Sequence, residues 1–175
     1  MSSAWTFDSV AREDDEMERI IGGQDASEGQ FPWATVLFYN DQFICSSSII
    51  GPNTILTAAH CVVFNGVTEP AESFHAIANY RKSADAVRID FASVVPHPNY
   101  TDSNGIQNDI AILTTTEPIP FSDTVQPICI ARADTPANEY KTATAMGWGF
   151  TSRSRDQNSL PDILQYVDQR IISNR

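Results

Sequence analysis

From Phe31 onward, apolar residues come in short runs separated by turn-forming residues. The runs are ATVLFYN (34–40), FICSSSII (43–50), NTILTA (53–58), SFHAIANY (73–80), AVRIDFASVV (86–95), DIAILTT (109–115), TATAMGW (142–148) and LQYVDQRIIS (164–173). Each is rich in β-branched or aromatic residues, which fit a pleated surface, and several alternate between apolar and polar positions. Breakers stand between them: Gly51-Pro52-Asn53, Asn65-Gly66, Pro96-His97-Pro98-Asn99 and Asn104-Gly105. No stretch holds the 3.6-residue period of an amphipathic helix. The pattern therefore predicts an all-β body, a barrel or a sandwich. A second region starts near Thr142, and only 26 residues follow Gly149. That is too few strands to close a further barrel by themselves.

The chain before this body is different in kind. Residues 1–19 are polar and carry the acidic run Glu13-Asp14-Asp15-Glu16 ahead of Arg19, after which the sequence turns abruptly to Ile20-Ile21-Gly22-Gly23. This reads as a flexible leader joined to a folded domain. It has no basic start followed by an apolar core, so no secretory signal is visible. Either the start lies upstream or the protein stays inside the cell. The acidic run is read as a solvated tail, with guidance of an activating protease as the alternative.

Charge narrows the partners. Against 22 Asp and Glu stand 11 Lys and Arg, a formal net charge of -11. Binding to nucleic acid needs clustered cations to neutralise phosphates, and a basic membrane-surface patch needs the same, so neither partner is expected. No apolar run approaches the roughly 20 residues that a helix needs to cross a bilayer, and the chain reads as soluble.

Cys45, Cys61 and Cys129 are odd in number, so one is left over if two pair. Metal ligation looks a poor use of them, because no CxxC or HxxxH spacing gathers several ligands, and no metal or cofactor is expected. Glu69 and Glu72 are a thin basis for a calcium site that wants about 6–8 oxygens.

Two places carry candidate chemistry. His60, in Thr57-Ala58-Ala59-His60-Cys61, sits just past a predicted strand. By position alone an ordinary surface or packing histidine is the commoner reading. Its neighbour changes the balance: Cys61 can be tied to Cys45, a closure worth roughly 3 kcal/mol, which would give a general base a rigid mount. Asp109 opens the apolar run Asp109-Ile110-Ala111-Ile112-Leu113. It is either a turn cap for the Asn104-Gly105 loop or a carboxylate held by a buried partner such as a histidine.

The strings RIIGG, FPW, TAAHC, HPNY, NDIAIL, PICI and GWG occur in an order that resembles the chymotrypsin-like (trypsin-type) serine proteases, across residues 19–175. The resemblance implies a double β-barrel, the first at about 31–125 and the start of the second at about 142–175, within a peptidase domain over 20–175. It implies His60 as general base and Asp109 as its orienting acid, with chain order His, Asp, then Ser. It also implies zymogen activation by cleavage after Arg19, freeing an Ile20 ammonium that pairs with an aspartate beside the nucleophile. Protein or peptide substrates, an activating protease, protein inhibitors and an extracellular location follow by the same analogy.

The chain departs from the family in several places. No Gly-Asp-Ser-Gly-Gly string precedes Arg175, so the second barrel is expected to be incomplete and the 175-residue chain inactive. Ser46-Ser47-Ser48 replaces the family's two glycines and serine, and Ala143 takes the place of a frequent half-cystine. Cys129 resembles the cysteine that joins the catalytic domain to its activation peptide. Asn99-Tyr100-Thr101 is a glycosylation sequon in a predicted turn. Two rivals to the peptidase remain: a non-catalytic homologue that uses the barrel for binding, and a naturally truncated intracellular protein.

Overall fold

The computed structural model describes residues 22–78, 86–103, 105–131, 141–149 and 161–171. It is built from strands β1 (Gln24–Asp25), β2 (Ala34–Tyr39), β3 (Gln42–Gly51), β4 (Thr54–Thr57), β5 (Val63–Phe64), β6 (Val67–Thr68), β7 (Phe74–Ala78), β8 (Val87–Pro96), β9 (Ala111–Thr115), β10 (Thr142–Gly147) and β11 (Gln165–Arg170). Two 3-10 turns, Ala59–Cys61 and Ala71–Ser73, are the helical elements among the described residues. The all-β expectation holds, and the main runs become strands to within two residues at most described ends. Asn79, Tyr80, Ile172 and Ser173 of the predicted runs, together with the leader (1–19), Ile20 and Ile21, lie outside the described residues.

Six antiparallel strands close into a barrel in the order β2-β3-β4-β9-β8-β7, with β7 pairing back onto β2. Period-2 alternation fills it: Leu37, Cys45, Ile49, Ile55, Ile89, Phe91, Ala111 and Leu113 all belong to one buried cluster. Polar residues also share this interior. Thr35 and Ser47 face each other in the β2–β3 register, and their hydroxyls lie 2.6 Å apart, which answers the cost of burying both. Tight turns of positive φ set the hairpins, at Asn40-Asp41 (φ 48° and 63°) and Asn65-Gly66 (φ 53° and 77°), residues that tolerate the left-handed region a type I′ turn requires.

Strand β2 is buried on both faces. Leu37 points into the barrel, while Ala34 and Val36 join Ala26, Trp148 and Leu164 in a second buried cluster. A three-stranded sheet, β1-β11-β10, thus packs across the outside of β2. Gln165 ties it together by donating to Asp25 Oδ1 at 2.7 Å and to the Ile163 carbonyl at 3.1 Å.

His75 on β7 is buried, and its ring stacks on its cross-strand partner Phe38 with centroids 4.9 Å apart and planes 3° from parallel. Burial, reinforced by the Arg88 cation, lowers its pKa below the ordinary 6.5, with Asp41 (Oδ1 at 3.7 Å) and Asp90 pulling the other way. The unfolded chain therefore takes up this proton first as the pH falls below 6.5. Stability from neutral His75 is present above that pH and is lost as pH falls toward the depressed folded value. Urea unfolding at pH 7.5 and pH 5 is expected to show this loss in the native chain and a smaller loss in His75→Phe. Equal pH dependence in both would reject it.

Candidate active site

The pairing of β4 with β9 builds the site. Its register sets Thr57 opposite Ala111, so the chain leaving β4 and the chain entering β9 meet at one rim of the barrel. His60 lies three residues beyond Thr57 and Asp109 two before Ala111, so topology brings together residues far apart in sequence. The 3-10 turn carrying His60 is pinned by buried Ala59, Cys61 and Val62, while the His60 side chain stays 35% exposed. Cys61 is joined to Cys45 of β3 by a disulfide.

Asp109 is held by the residue before it. Asn108 adopts φ 54°, its side-chain amide donates to the Asn99 carbonyl at 2.8 Å, and its own carbonyl accepts from the Ile110 N–H at 2.8 Å. This tight turn places Asp109 ahead of β9 rather than inside it, which is why the strand starts at Ala111 and not at the predicted Asp109. The sequence reading missed Asn108 as a functional position; an asparagine, tolerant of positive φ, directly before an acid is the signal for it. Asn108→Val is expected to cost about 1–2 kcal/mol by forcing a β-branched residue into the left-handed region, and Asn108→Gly less, as read by urea denaturation. Equal costs for both would reject the strain argument.

Both carboxylate oxygens of Asp109 serve His60. Oδ1 accepts from the His60 backbone N–H at 2.8 Å, and Oδ2 lies 2.7 Å from Nδ1. Among the described residues, both oxygens of Asp109 bond to His60. An ionised carboxylate only accepts, so Nδ1 carries the hydrogen and the lone pair falls on Nε2. Nε2 itself lies 3.5 Å from Cys61 Sγ and 3.9 Å from Cys45 Sγ. The result is an oriented imidazole with its basic nitrogen turned away from the acid.

Beside Asp109 opens a cleft of about 360 Å³ between the barrel and the second sheet, lined in part by Ser46, Ser48, Thr57, Met146 and Trp148. Two buried polar atoms have no hydrogen-bond partner among the described residues: Ser46 Oγ and Trp148 Nε1, both on residues of this cleft. Elsewhere, Glu69 accepts from the Tyr39 hydroxyl at 2.9 Å, and that bond, with burial and the Glu69 charge behind it, raises the Tyr39 pKa. Cys129 is a free, exposed thiol, and Asn99 is exposed. Arg19 and Ile20 lie outside the described residues. No described helix is long and apolar enough to cross a membrane.

The antiparallel six-stranded barrel is that of an all-β chymotrypsin-like fold, and it carries a carboxylate–imidazole pair on its rim. Residues 20–175 match the Trypsin family model, and the chain belongs to the trypsin family. It is 32% identical over 164 residues to "Transmembrane protease serine 9" of Rattus norvegicus, a match covering 89% of this chain and 15% of that protein. It is 31% identical over 157 residues to "Serine protease SP24D" of Anopheles gambiae, covering 90% of this chain and 55% of that one. The chain spans about half, or less, of the length of these relatives.

Proposed function

We propose that this chain is the front part of a trypsin-type serine endopeptidase zymogen. His60 is the general base, Asp109 fixes its tautomer, and the nucleophilic serine lies beyond Arg175. The observation that carries this reading is the two-bond hold of Asp109 on His60, at 2.8 Å and 2.7 Å, which leaves Nε2 as the basic nitrogen. In such a mechanism Nε2 takes the serine proton as the hydroxyl attacks the scissile carbonyl and returns it to the leaving amine.

The finer assignments belong to the same proposal. Cleavage after Arg19 activates the zymogen, residues 1–19 are the activation segment, the body spans 20–175, and the second barrel is completed downstream. The substrates are proteins or peptides, the partners an activating protease and protein inhibitors, and the location extracellular. Sequencing the transcript past the Arg175 codon tests the reading. A continuing frame with Gly-Asp-Ser-Gly-Gly, whose product takes a fluorophosphonate label, supports it. A frame with another residue in place of that serine makes the protein a non-catalytic homologue, and one with no such string removes the enzyme altogether.

Export has its own test. When the chain is directed into a secretory pathway, Asn99 is expected to carry a glycan, since its sequon lies in an exposed turn between β8 and β9. A mass shift that is removed by peptide N-glycosidase and absent from Asn99→Gln is the expected result. An unshifted native chain would argue against glycosylation at this turn.

A further inference from the structure

Three metal-ligating groups from two segments converge outside any sequence spacing that announces them. Cys45 comes from β3, His60 and Cys61 from the turn after β4, and one ligand atom of each lies within 4.8 Å of the others. In the oxidised protein the two sulfurs are bonded to each other and offer no thiolate. We propose that reduction of the Cys45–Cys61 disulfide turns the rim of the barrel into a Zn²⁺ site with the ligand set Cys45 Sγ, Cys61 Sγ and His60 Nε2. The proposal stands on this geometry alone and not on the peptidase reading.

The distances favour one ion. Tetrahedral zinc with Zn–S near 2.3 Å and Zn–N near 2.05 Å needs nitrogen–sulfur edges of about 3.6 Å and a sulfur–sulfur edge of about 3.8 Å. The imidazole nitrogen already stands 3.5 Å and 3.9 Å from the two sulfurs. Only the sulfurs must part, which rotation about their side-chain bonds allows once the covalent bond is cut. Thiolate and imidazole together are the donor set that suits zinc among the common divalent ions.

The outer shell is also in place. A zinc-bound histidine commonly donates its other ring N–H to a carboxylate, which fixes the tautomer and raises the basicity of the ligating nitrogen. Asp109 Oδ2 does this to His60 Nδ1 at 2.7 Å. The arrangement that prepares Nε2 to take a proton equally prepares it to hold a metal. Access is through the half-exposed imidazole side, because both sulfurs are buried, and the fourth position there is left to water.

The chemistry balances with a phosphine as reductant. The phosphine and one water give two electrons and two protons to the S–S bond and leave as phosphine oxide. The two thiols then release two protons on taking up Zn²⁺ as thiolates. A bound ion would occupy the Nε2 lone pair, so proton acceptance at this nitrogen and zinc binding exclude each other.

The test is Co²⁺ titration of the full chain, oxidised and phosphine-reduced, followed by displacement with Zn²⁺. The reduced chain is expected to bind one equivalent with the visible bands of tetrahedral cobalt and a thiolate charge-transfer band, and the oxidised chain to show neither. In the reduced state, Cys45→Ser, Cys61→Ser and His60→Ala should each weaken binding at least about tenfold, and Asp109→Asn about 10–100-fold as an outer-shell loss. Cys129→Ser should leave it unchanged. A reduced chain that has merely unfolded would recruit Cys129 and ignore Asp109. Binding lost in Cys129→Ser, binding indifferent to Asp109→Asn, or no cobalt spectrum would each overturn the proposal. Near-ultraviolet dichroism followed in parallel should be retained or restored by the metal, and its loss in the presence of zinc would count equally against the site.

Discussion

Exchanging Asp109 for asparagine is expected to lower kcat by roughly 10⁴-fold in the active protease that the proposed function describes, with KM little changed. The magnitude is that of the family's acid-to-amide exchange, and the two-bond geometry gives the reason it should apply here. Asp109 Oδ1 accepts the His60 backbone N–H, so an asparagine that keeps this 2.8 Å bond must turn its amide nitrogen toward Nδ1. That nitrogen donates. The imidazole answers by making Nδ1 the acceptor and placing its hydrogen on Nε2, where it can no longer accept the serine proton. Fold and ring position should survive, because size and one bond are kept. Steady-state kinetics on a peptide amide, with urea unfolding of the same variant, separates the two effects. A fall in kcat below about tenfold would show that Asp109 does not set the tautomer. A parallel collapse of stability would show that its main role is structural.

The barrel was legible because its information is local. Alternation along β3, β4, β8 and β9 marks which residues enter the core, and Asn and Gly mark the turns, so strands could be read one at a time. What escaped is non-local. β1 is two exposed residues that become a strand only by pairing with β11 across most of the chain, with Asp25 opposite Gln165. The β5–β6 hairpin is two residues a side, too short for a periodic signal, although Asn65-Gly66 announced its turn. The site divides in the same way. His60 and Asp109 were each ambiguous from their neighbours and gained meaning from ordered motifs. Their meeting depends on the β4–β9 register, which no local pattern encodes. The cysteine and histidine cluster divides likewise: a Cys45–Cys61 tie beside His60 is legible in the sequence, but a search for metal spacing does not find that all three ligand atoms converge.

Replacing Cys45 and Cys61 together by alanine is expected to lower stability by about 3 kcal/mol. The disulfide closes a separation of 16 residues, and the chain-entropy relation gives about that figure for a loop of such length. For a chain of this size that is a fall of roughly 6–12 °C in Tm. The loop contains β4's partner edge on β3, the whole of β4 and the turn bearing His60, so freeing it loosens the mount of the imidazole before it unfolds the far side of the barrel. Hydrogen exchange of the Ala59–Cys61 turn should therefore accelerate more than that of β7 and β8. Differential scanning calorimetry gives the first number and exchange the second; no change in Tm, or uniform acceleration, would reject the account. The same variant separates entropy from metal. In the reduced native chain, zinc at about 100 times its Kd should return about 2.7 kcal/mol by binding only the folded state. The double-alanine chain pays the same loss of cross-link yet has no thiolates, so zinc should leave its Tm where it stands.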